Sequence, residues 1–544
     1  MPIVNQNTSE SYPDTFFPDQ AFYRACINGD LDQVERSLAE GVNVNAVMIG
    51  DFTALMLASR WGHMDTVKRL INAGANLEAA RSNGATALFI AAEYGSTDCV
   101  NLLINAGADV NTLRTSDGIT PLFIAAWKGN SNCVKLLINA GANLDAAHWN
   151  GATALYIAAE PGNTDCVEIL IKAGADLDAR AKNSATPLYI AAQEGNSDCV
   201  QLLIDAGANL NTPLTSDGST PLFIAAAKGN TDCVKALIKA KANLEARTKD
   251  GATPLYIAAW KGSSDCVKLL IIAGAVLDAR TKDGATPLFI AVQEGNTDCV
   301  KLLIIAGADL NAARTSDGAN PLHYAALKGN TDCVKLLIIA GADLNAQTEY
   351  GTTPLFIAAK ENNTECVQLL INAGADLNAR TGYGTTPLFI AAQVNNTDCV
   401  QLLINAGANL NAQAKDGATP LLIAALENNT ECVQLLINAG ADLNAALLTG
   451  ATPIFFAAMK GHSDCLKLLI NAGADVNAAR TDDGATPLYI AAQEGNTDCM
   501  KLLIKAGADF NICRTSDGAT SLSAAALKGN TDCVELLRVN AGAE

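Results

Sequence analysis

Cysteine is the chemically reactive residue that recurs most regularly in this chain. There are 16 cysteines in 544 residues, and from Cys99 to Cys533 fourteen of them follow at intervals of 33 or 34 residues. Such a number suggests disulfides or metal sites. Both need close sulfur atoms, because an S–S bond is about 2.05 Å and a Zn–S bond about 2.3 Å, whereas packed helices lie about 8–10 Å apart. We therefore interpret these cysteines as small buried hydrophobic residues, which suits a reducing compartment.

Cys513 is the exception among the cysteines. It falls between two periodic segments, within residues 511–517, and is therefore predicted to be exposed. It is either a reactive thiol or a neutral substitution.

The remaining candidates for catalytic or metal chemistry are four histidines and many acidic residues. The histidines are His63, His148, His323 and His462. The chain contains no Gly-Lys-Ser/Thr phosphate loop and no His-Glu-x-x-His motif, and its Asp and Glu residues follow the repeat spacing, which is typical of helix caps and solvated faces. We therefore predict no catalytic site, no metal site and no cofactor, so that the protein is not an enzyme.

The cysteines are one part of a longer repeated pattern. Thirteen residues before each of the fourteen stands the first position of a Thr-Pro-Leu-aromatic tetrad, with small variations. Asn320 replaces the threonine once, and the threonines are Thr86, Thr120, Thr153, Thr186, Thr220, Thr253, Thr286, Thr353, Thr386, Thr419, Thr452, Thr486 and Thr520. Thr53 begins one further tetrad, thirteen residues before Thr66 instead of a cysteine. A fixed period of 20–50 residues indicates a stacked array of small units.

One unit, residues 283–313, shows how the pattern predicts two helices. Thr286 suits an N-cap and Pro287 the first helical position, where no amide donor is needed. Asn296 or Thr297 can cap a second helix, and the apolar residues that follow recur at helical spacing. An Ala-Gly-Ala sequence ends it, since glycine is the usual residue just past a helix. Each unit is therefore predicted to be a helix–turn–helix with a polar connecting segment.

This unit resembles the ankyrin repeat in its Thr-Pro-Leu opening, its Ala-Ala and Leu-Leu pairs and its Ala-Gly-Ala-Asp-Leu-Asn-Ala exit, over roughly residues 20–544. The resemblance implies an all-α repeat solenoid, with helix-turn-helix-hairpin units stacked into a curved superhelix. We expect a polar N-terminal extension, an N-terminal capping repeat, fourteen ankyrin-like repeats and a C-terminal capping repeat over residues 1–19, 20–52, 53–519 and 520–544. The chain keeps the family's histidine after Thr-Pro-Leu only at His323, and most other units have phenylalanine or tyrosine there. An apolar contact is thus expected where the family has a polar link between neighbours.

Composition restricts the partners. The formal net charge of −19 argues against nucleic acid, whose binding requires Lys and Arg against phosphates. No apolar stretch of about 18 residues occurs, so we expect no membrane insertion. The N-terminus lacks a basic start and an apolar run, which argues against a Sec-type signal peptide. We expect a cytoplasmic protein, or one in a host cytosol if it is exported, and we expect it to be monomeric.

Partner binding is the function that the resemblance implies, usually on the concave side of the array. Exposed Trp and Tyr are common interface anchors. Three of the four tryptophans fall in a variable pair seven and eight residues after the tetrad threonine, and the fourth is at a hairpin tip. The predicted partner-binding residues are Trp61, Tyr94, Trp127, Lys128, Trp149, Trp260 and Lys261.

We therefore predict a non-catalytic scaffold or adaptor that binds a protein partner. Three alternatives stay open at this point. The first is an effector that is delivered into a host cell to bind host proteins. The second is an elastic structural tether, and the third is an enzyme or inhibitor built on the array.

Overall fold

A computed structural model describes residues 20–48 and 50–540 of the chain. Within these residues the structure has 32 α-helices and no β-strand, and an isolated antiparallel bridge joins Val47 and Thr53. The predicted all-α class is confirmed. The predicted N-terminal extension and residues 541–544 of the predicted C-terminal capping repeat lie outside the described residues, and the capping role of both terminal repeats stays a prediction.

The chain divides into two compact units. The first runs to Pro254 and includes Ile272–Ala275, and the second comprises Leu255–Ile271 and the chain from Val276 onward. Seven helix pairs belong wholly to the first unit: α1 (Gln20–Asn28), α2 (Leu31–Ala39), α3 (Ala54–Trp61), α4 (Met64–Asn72), α5 (Ala87–Tyr94), α6 (Thr97–Asn105), α7 (Pro121–Lys128), α8 (Ser131–Asn139), α9 (Ala154–Ala159), α10 (Thr164–Lys172), α11 (Pro187–Glu194), α12 (Ser197–Asp205), α13 (Pro221–Lys228) and α14 (Thr231–Lys239).

The other nine pairs lie in the second unit, apart from the first residue of α15 and the last of α16. They are α15 (Pro254–Lys261), α16 (Ser264–Ile272), α17 (Pro287–Gln293), α18 (Thr297–Ala306), α19 (Pro321–Lys328), α20 (Thr331–Ala340), α21 (Pro354–Lys360), α22 (Thr364–Asn372), α23 (Pro387–Gln393), α24 (Thr397–Asn405), α25 (Pro420–Leu426), α26 (Thr430–Asn438), α27 (Pro453–Lys460), α28 (Ser463–Ala472), α29 (Pro487–Glu494), α30 (Thr497–Lys505), α31 (Ser521–Lys528) and α32 (Thr531–Asn540).

Each unit is built from two layers of helices. In the first unit, first helices pack on first helices, as α5 does on α7, and second helices pack on second helices, as α10 does on α12. In the second unit α23 packs on α25 and α24 on α26 in the same way. The two helices of one repeat also contact each other, so that a repeat contacts its neighbours through both layers.

The tetrad begins most first helices by capping them. The Oγ1 atom of Thr286 accepts a hydrogen bond from Phe289 N at 3.2 Å, and Pro287 stands at the first helical position, where a missing N–H costs nothing. The same threonine cap is present at α5, where Thr86 Oγ1 accepts from Phe89 N. The predicted N-cap is confirmed.

The core of each repeat is apolar and contains the cysteine. Leu88, Phe89 and Leu103 are at most 2% exposed, and Cys99 is fully buried. Fifteen of the sixteen cysteines are buried, none is disulfide-bonded, and Cys513 is exposed, as expected. Burial raises the pKa of the Cys26 thiol to about 12, so this side chain stays a neutral thiol at physiological pH.

The predicted capping of the second helix is wrong. Asn296 precedes α18 but its side chain makes no cap hydrogen bond. Its Nδ2 atom instead donates to the carbonyl oxygens of Ala259 and Trp260 in the preceding repeat, each at 2.9 Å. We call this pair of interactions the asparagine bridge. It satisfies two carbonyls at the end of a first helix that have no partner within the helix.

The asparagine bridge recurs in both units. The bridging residues are Asn130, Asn163, Asn196 and Asn230 in the first unit and Asn296, Asn363, Asn396, Asn429, Asn496 and Asn530 in the second. Asn330 makes a single bond of this kind, to Val292 O at 3.0 Å. His63 and His462 take the same place, with Nε2 at 2.7 Å from Ile27 O and at 3.1 Å from Leu426 O. The polar link that we expected to be lost at the aromatic slot is therefore present here.

Candidate partner-binding surface

The predicted binding residues lie in the last turn of the first helices, with Trp149 as the exception. Trp61 ends α3, Tyr94 ends α5, and Trp127 and Lys128 end α7, all in the first unit. Glycines in the left-handed conformation follow these helices, for example Gly129 with φ 75°. The chain turns there at once into the second helix, which leaves the last turn of the first helix at the surface.

An aromatic cluster in the first unit forms around Arg60. The Arg60 guanidinium lies 5.8 Å from the Trp61 ring and 4.8 Å from the Tyr94 ring, and it also lies 6.0 Å from Phe52. Trp61 is 57% exposed and Tyr94 is 50% exposed. One cation therefore holds the rings of two successive repeats while half of each ring stays accessible. Arg60 was absent from the predicted site, although it immediately precedes Trp61.

Trp127 continues this surface in the next repeat. Its side chain is half-buried, and its carbonyl oxygen accepts a hydrogen bond from Asn163 Nδ2 at 2.8 Å. The exposed Lys128 ammonium lies 5.5 Å from the centre of the Trp127 ring. The asparagine bridge thus fixes the backbone that presents Trp127, and Lys128 covers part of its ring.

Trp149 lies away from the helix ends, in the segment between α8 and α9. It is 60% exposed, and its backbone N–H donates to Asp117 O at 3.2 Å. The ring lies against Gly118, where an added Cβ would come within 2.7 Å of it. His148 stacks on Phe123 with ring centres 5.9 Å apart. Trp149 is therefore a fixed ring on the hairpin edge of the first unit.

The second unit contains the other two predicted residues. Trp260 is 42% exposed and packs edge-on against Tyr256 at 6.4 Å. The Lys261 ammonium lies 4.8 Å from the Trp260 ring, and Asn296 bridges the Trp260 carbonyl. Trp127 and Lys128 have the same arrangement: an asparagine bridge holds the tryptophan carbonyl, and the lysine that follows lies near the tryptophan ring.

Acidic groups accompany the rings in the first unit. Glu160 and Glu194 occupy outward positions of two successive repeats, and burial, with a further contribution from Glu194, raises the pKa of the Glu160 carboxyl. Burial, together with these two carboxylates, raises the pKa of Tyr156 to about 12. A cationic group of a partner would relieve the repulsion between Glu160 and Glu194.

His323 is the one histidine in the aromatic slot, and it is enclosed. It is 1% exposed, with Nδ1 at 2.7 Å from Asn320 Oδ1 and Nε2 at 3.1 Å from Thr352 O in the next repeat. Burial lowers its pKa. Both ring nitrogens are therefore engaged in structural contacts.

Over residues 20–48 and 50–540, no three His, Cys, Asp or Glu side chains are grouped so that they could hold a metal ion. In the same part of the chain, no helix has the length and apolar character that a membrane crossing needs.

The sequence-based prediction missed several exposed apolar residues in the second unit. Ile305 and Ile339 lie one residue before the ends of their second helices and are 83% and 84% exposed. Tyr383 and Leu448 are exposed in connecting segments. An apolar groove also lies between α21 and α27.

Comparison with known proteins identifies the family to which the chain belongs. A sequence profile described as Ankyrin repeats (3 copies) matches residues 22–114, 108–181, 188–281, 255–348, 329–414, 406–480 and 477–544. The chain therefore belongs to the ankyrin repeat family, whose repeats generally mediate protein–protein interaction.

Among solved structures, the crystal structure of the human ASB11 ankyrin repeat domain is similar, with 32% sequence identity over 41% of this chain and 98% of that chain, and a TM-score of 0.38. No curated protein matches the chain significantly.

Proposed function

We propose that this protein is a non-catalytic interaction scaffold whose main partner-binding surface lies on the concave face of the first unit. The observation that supports this most is the Arg60 cluster, in which Trp61 and Tyr94 of successive repeats are both held in place and half exposed. Rings that are already ordered lose little conformational entropy on binding, and aromatic side chains are frequent hot spots.

Trp127, Lys128 and Trp149 belong to the same proposed surface, and Trp260 with Lys261 offers a separate contact in the second unit. The carboxylates of Glu160 and Glu194 favour a partner with a basic patch. The partner is a protein, and we propose neither nucleic acid nor a membrane as a ligand. The free protein is proposed to be a cytoplasmic monomer.

The test is capture of the partner from an extract of the cells that make the protein, with the full chain as bait. The triple variant Trp61→Ala/Tyr94→Ala/Trp127→Ala is expected to lower partner affinity at least about tenfold, since each anchor contributes about 1–2 kcal/mol or more. Adding Trp260→Ala measures the contribution of the second unit.

The matched control is the double variant Ile305→Ala/Ile339→Ala, which removes exposed apolar side chains from second helices. It is expected to bind normally, and circular dichroism melts of all variants check folding. Unchanged capture by the folded triple variant would rule out the proposed surface.

The effector and tether alternatives differ from the scaffold in what they require. An effector requires export, so a secretion assay with tagged protein separates it from an adaptor of the producing cell. A tether requires attachment at both ends and a load between them. A broad activity screen is expected to be negative, and a reproducible turnover abolished by a single substitution would contradict the non-catalytic role.

A further inference from the structure

Two successive second helices of the second unit have an outward face with exposed isoleucine. The helices α18 and α20 have the same sequence, Thr-Asp-Cys-Val-Lys-Leu-Leu-Ile-Ile-Ala, and they pack against each other. Ile305 of α18 is 83% exposed, and Ile339 of α20 is 84% exposed. Both side chains therefore contribute little to the core of the array.

The next three second helices have a different outward face. In α22, α24 and α26 a glutamine Nε2 atom donates to the Oδ1 atom of an asparagine one turn later. These pairs are Gln368 and Asn372, Gln401 and Asn405, and Gln434 and Asn438, at 2.8, 2.7 and 2.7 Å. In α18 and α20 the glutamine is replaced by Lys301 or Lys335 and the asparagine by Ile305 or Ile339. A polar pair is therefore replaced twice, at both of its positions, by a cation and an apolar side chain.

The lysines form a row beside the isoleucines. Lys301 and Ile305, like Lys335 and Ile339, are four residues apart and lie one turn apart on the same side of their helix. Each lysine side chain is 51% exposed, and its ammonium lies 3.3 Å or 3.9 Å from an exposed aspartate of its own helix. Ion pairs this exposed contribute little to stability. A carboxylate of a partner can therefore pair with either lysine at a small cost.

The spacing of this face matches that of an α-helix laid across it. Neighbouring packed helices are about 8–10 Å apart, and residues seven positions apart in an α-helix are separated by about 10.5 Å along its axis. A helix that crosses α18 and α20 can therefore place residues i and i+7 over Ile305 and Ile339. One edge of the same helix then faces Lys301 and Lys335.

We propose that the α18–α20 face, meaning Lys301, Ile305, Lys335 and Ile339, binds an amphipathic helix of a second partner protein. This helix has apolar residues seven positions apart and Asp or Glu along the edge that faces the lysines. Its apolar stripe covers the isoleucines, and its acidic edge complements the lysines and fixes which way round it binds. The site extends the proposed scaffold role to a second partner and does not depend on the Trp61 surface.

The experiment uses the full-length protein under reducing conditions and a phage-displayed library of 21-residue helical peptides. Leucine occupies the first and fourth positions of each heptad, and the positions beside them are randomised among Glu, Lys and Gln. Peptides are selected on the wild type and counter-selected on Ile305→Asn/Ile339→Asn, which gives α18 and α20 the asparagine of α22. We expect the surviving peptides to have Glu concentrated on one edge of the leucine stripe.

A fluorescein-labelled peptide from that pool is then titrated with each variant by fluorescence anisotropy. Ile305→Asn/Ile339→Asn is expected to weaken binding at least about tenfold, and Lys301→Gln/Lys335→Gln about threefold with a smaller salt dependence. The same peptide with Lys in place of each Glu should bind at least about tenfold more weakly. Trp61→Ala/Tyr94→Ala/Trp127→Ala is expected to bind as the wild type does. Thermal melts should be the same for all chains with substitutions on the α18–α20 face, because these positions are exposed.

A transplant tests whether the four residues are sufficient. The helices α24 and α26 pack against each other as α18 and α20 do. The chain that contains Ile305→Asn/Ile339→Asn receives four further substitutions, Gln401→Lys, Asn405→Ile, Gln434→Lys and Asn438→Ile. We expect the peptide affinity to return to within about threefold of the wild-type value.

Three results would overturn the proposal. The first is that no peptide distinguishes the wild type from Ile305→Asn/Ile339→Asn, and the second is a pool with Lys and Glu equally frequent on both edges. The third is another occupant of the face. It would be detected as self-association in analytical ultracentrifugation, or as binding to phosphatidylserine vesicles, that the asparagine variant loses while no peptide binds. None of these results changes the capture that depends on Trp61, so failure of this site is distinguishable from failure of the scaffold function.

Discussion

The repeats of the first unit and the repeats of α21 to α26 in the second reach the same turn with different residues. Before α8 the turn is made by Gly129, with φ 75°, and an added Cβ would lie 2.9 Å from Asn163 Oδ1. In the second unit three successive repeats place Asn362, Asn395 and Asn428 at this position, with φ of 57°, 60° and 61°. Asparagine is the residue other than glycine that adopts this conformation most readily.

The consequence of the substitution is an additional contact between repeats. Asn395 Oδ1 accepts from Cys432 Sγ at 3.3 Å, and Asn362 Oδ1 accepts from Cys399 Sγ at 3.4 Å. The asparagine bridge is still formed beside it, because Asn429 Nδ2 donates to Ala392 O and Gln393 O at 2.8 Å each. Glycine leaves room for the bridge, whereas asparagine keeps the bridge and adds a thiol contact.

The largest expected effect comes from removing the asparagine bridge, which both regions share. Asn163→Ala in the first unit and Asn396→Ala in the second each remove the side-chain donor to two carbonyls, and each is expected to cost about 2–3 kcal/mol. Urea unfolding and hydrogen exchange of the adjacent helices measure the loss. Asn139→Ala, at the exposed end of α8, should change stability by less than about 0.5 kcal/mol. A loss in one region only would show that the bridge is not equivalent in both.

The periodic part of this architecture is predictable from sequence, and the bridge is not. The tetrad predicts the first helices, because Thr286 and Pro287 act within their own turn. Asn296 has the local sequence expected of a cap. Its side chain instead donates to the preceding repeat, and this depends on the position of the α15 carbonyl groups in the folded protein. Likewise Trp61 is predictable as exposed, whereas its fixation by Arg60 depends on the packing of neighbouring repeats.

The second effect in size distinguishes the two turn residues. Gly129→Ala is expected to destabilise by about 1–2 kcal/mol, because alanine is strained at positive φ and its Cβ crowds Asn163. Asn395→Gly relieves a smaller strain and removes the Cys432 contact, so the net change should stay below about 1 kcal/mol. Urea titrations of both variants measure this. Equal destabilisation by the two substitutions would mean that strain and crowding at Gly129 do not distinguish this turn from the asparagine turn.

A smaller effect depends on pH and concerns His323 in the second unit. Burial lowers the pKa of this imidazole despite the nearby carboxylates of Asp317 and Asp343. Below pH 6.5 the unfolded chain therefore binds a proton that the folded chain resists, so the contribution of His323 to stability is present above that pH and is lost as pH falls. Thermal melts should show a decline from pH 7.5 to 5 that is shallower in His323→Phe. Identical slopes in both proteins would mean that His323 does not titrate as its burial requires.

The smallest effect separates the cysteines of the two regions. Burial raises the pKa of the Cys432 thiol to about 12, and burial also raises the pKa of Cys133, where a hydrogen bond from Thr97 opposes the rise. Because only thiolates react with iodoacetamide and both thiols are buried, each is modified through local opening, after the exposed Cys513.

Opening at Cys432 must break its 3.3 Å bond to Asn395, whereas opening at Cys133 breaks the longer 3.8 Å contact with Thr97. Because S–H is a weak donor, this difference is worth about 0.5 kcal/mol. We therefore expect Cys432 to react about twofold more slowly than Cys133 when peptide masses are followed over time at pH 8. Asn395→Gly should remove this difference. If Cys432 stays equally protected in that variant, packing alone sets its reactivity, and the asparagine turn adds no contact of energetic weight.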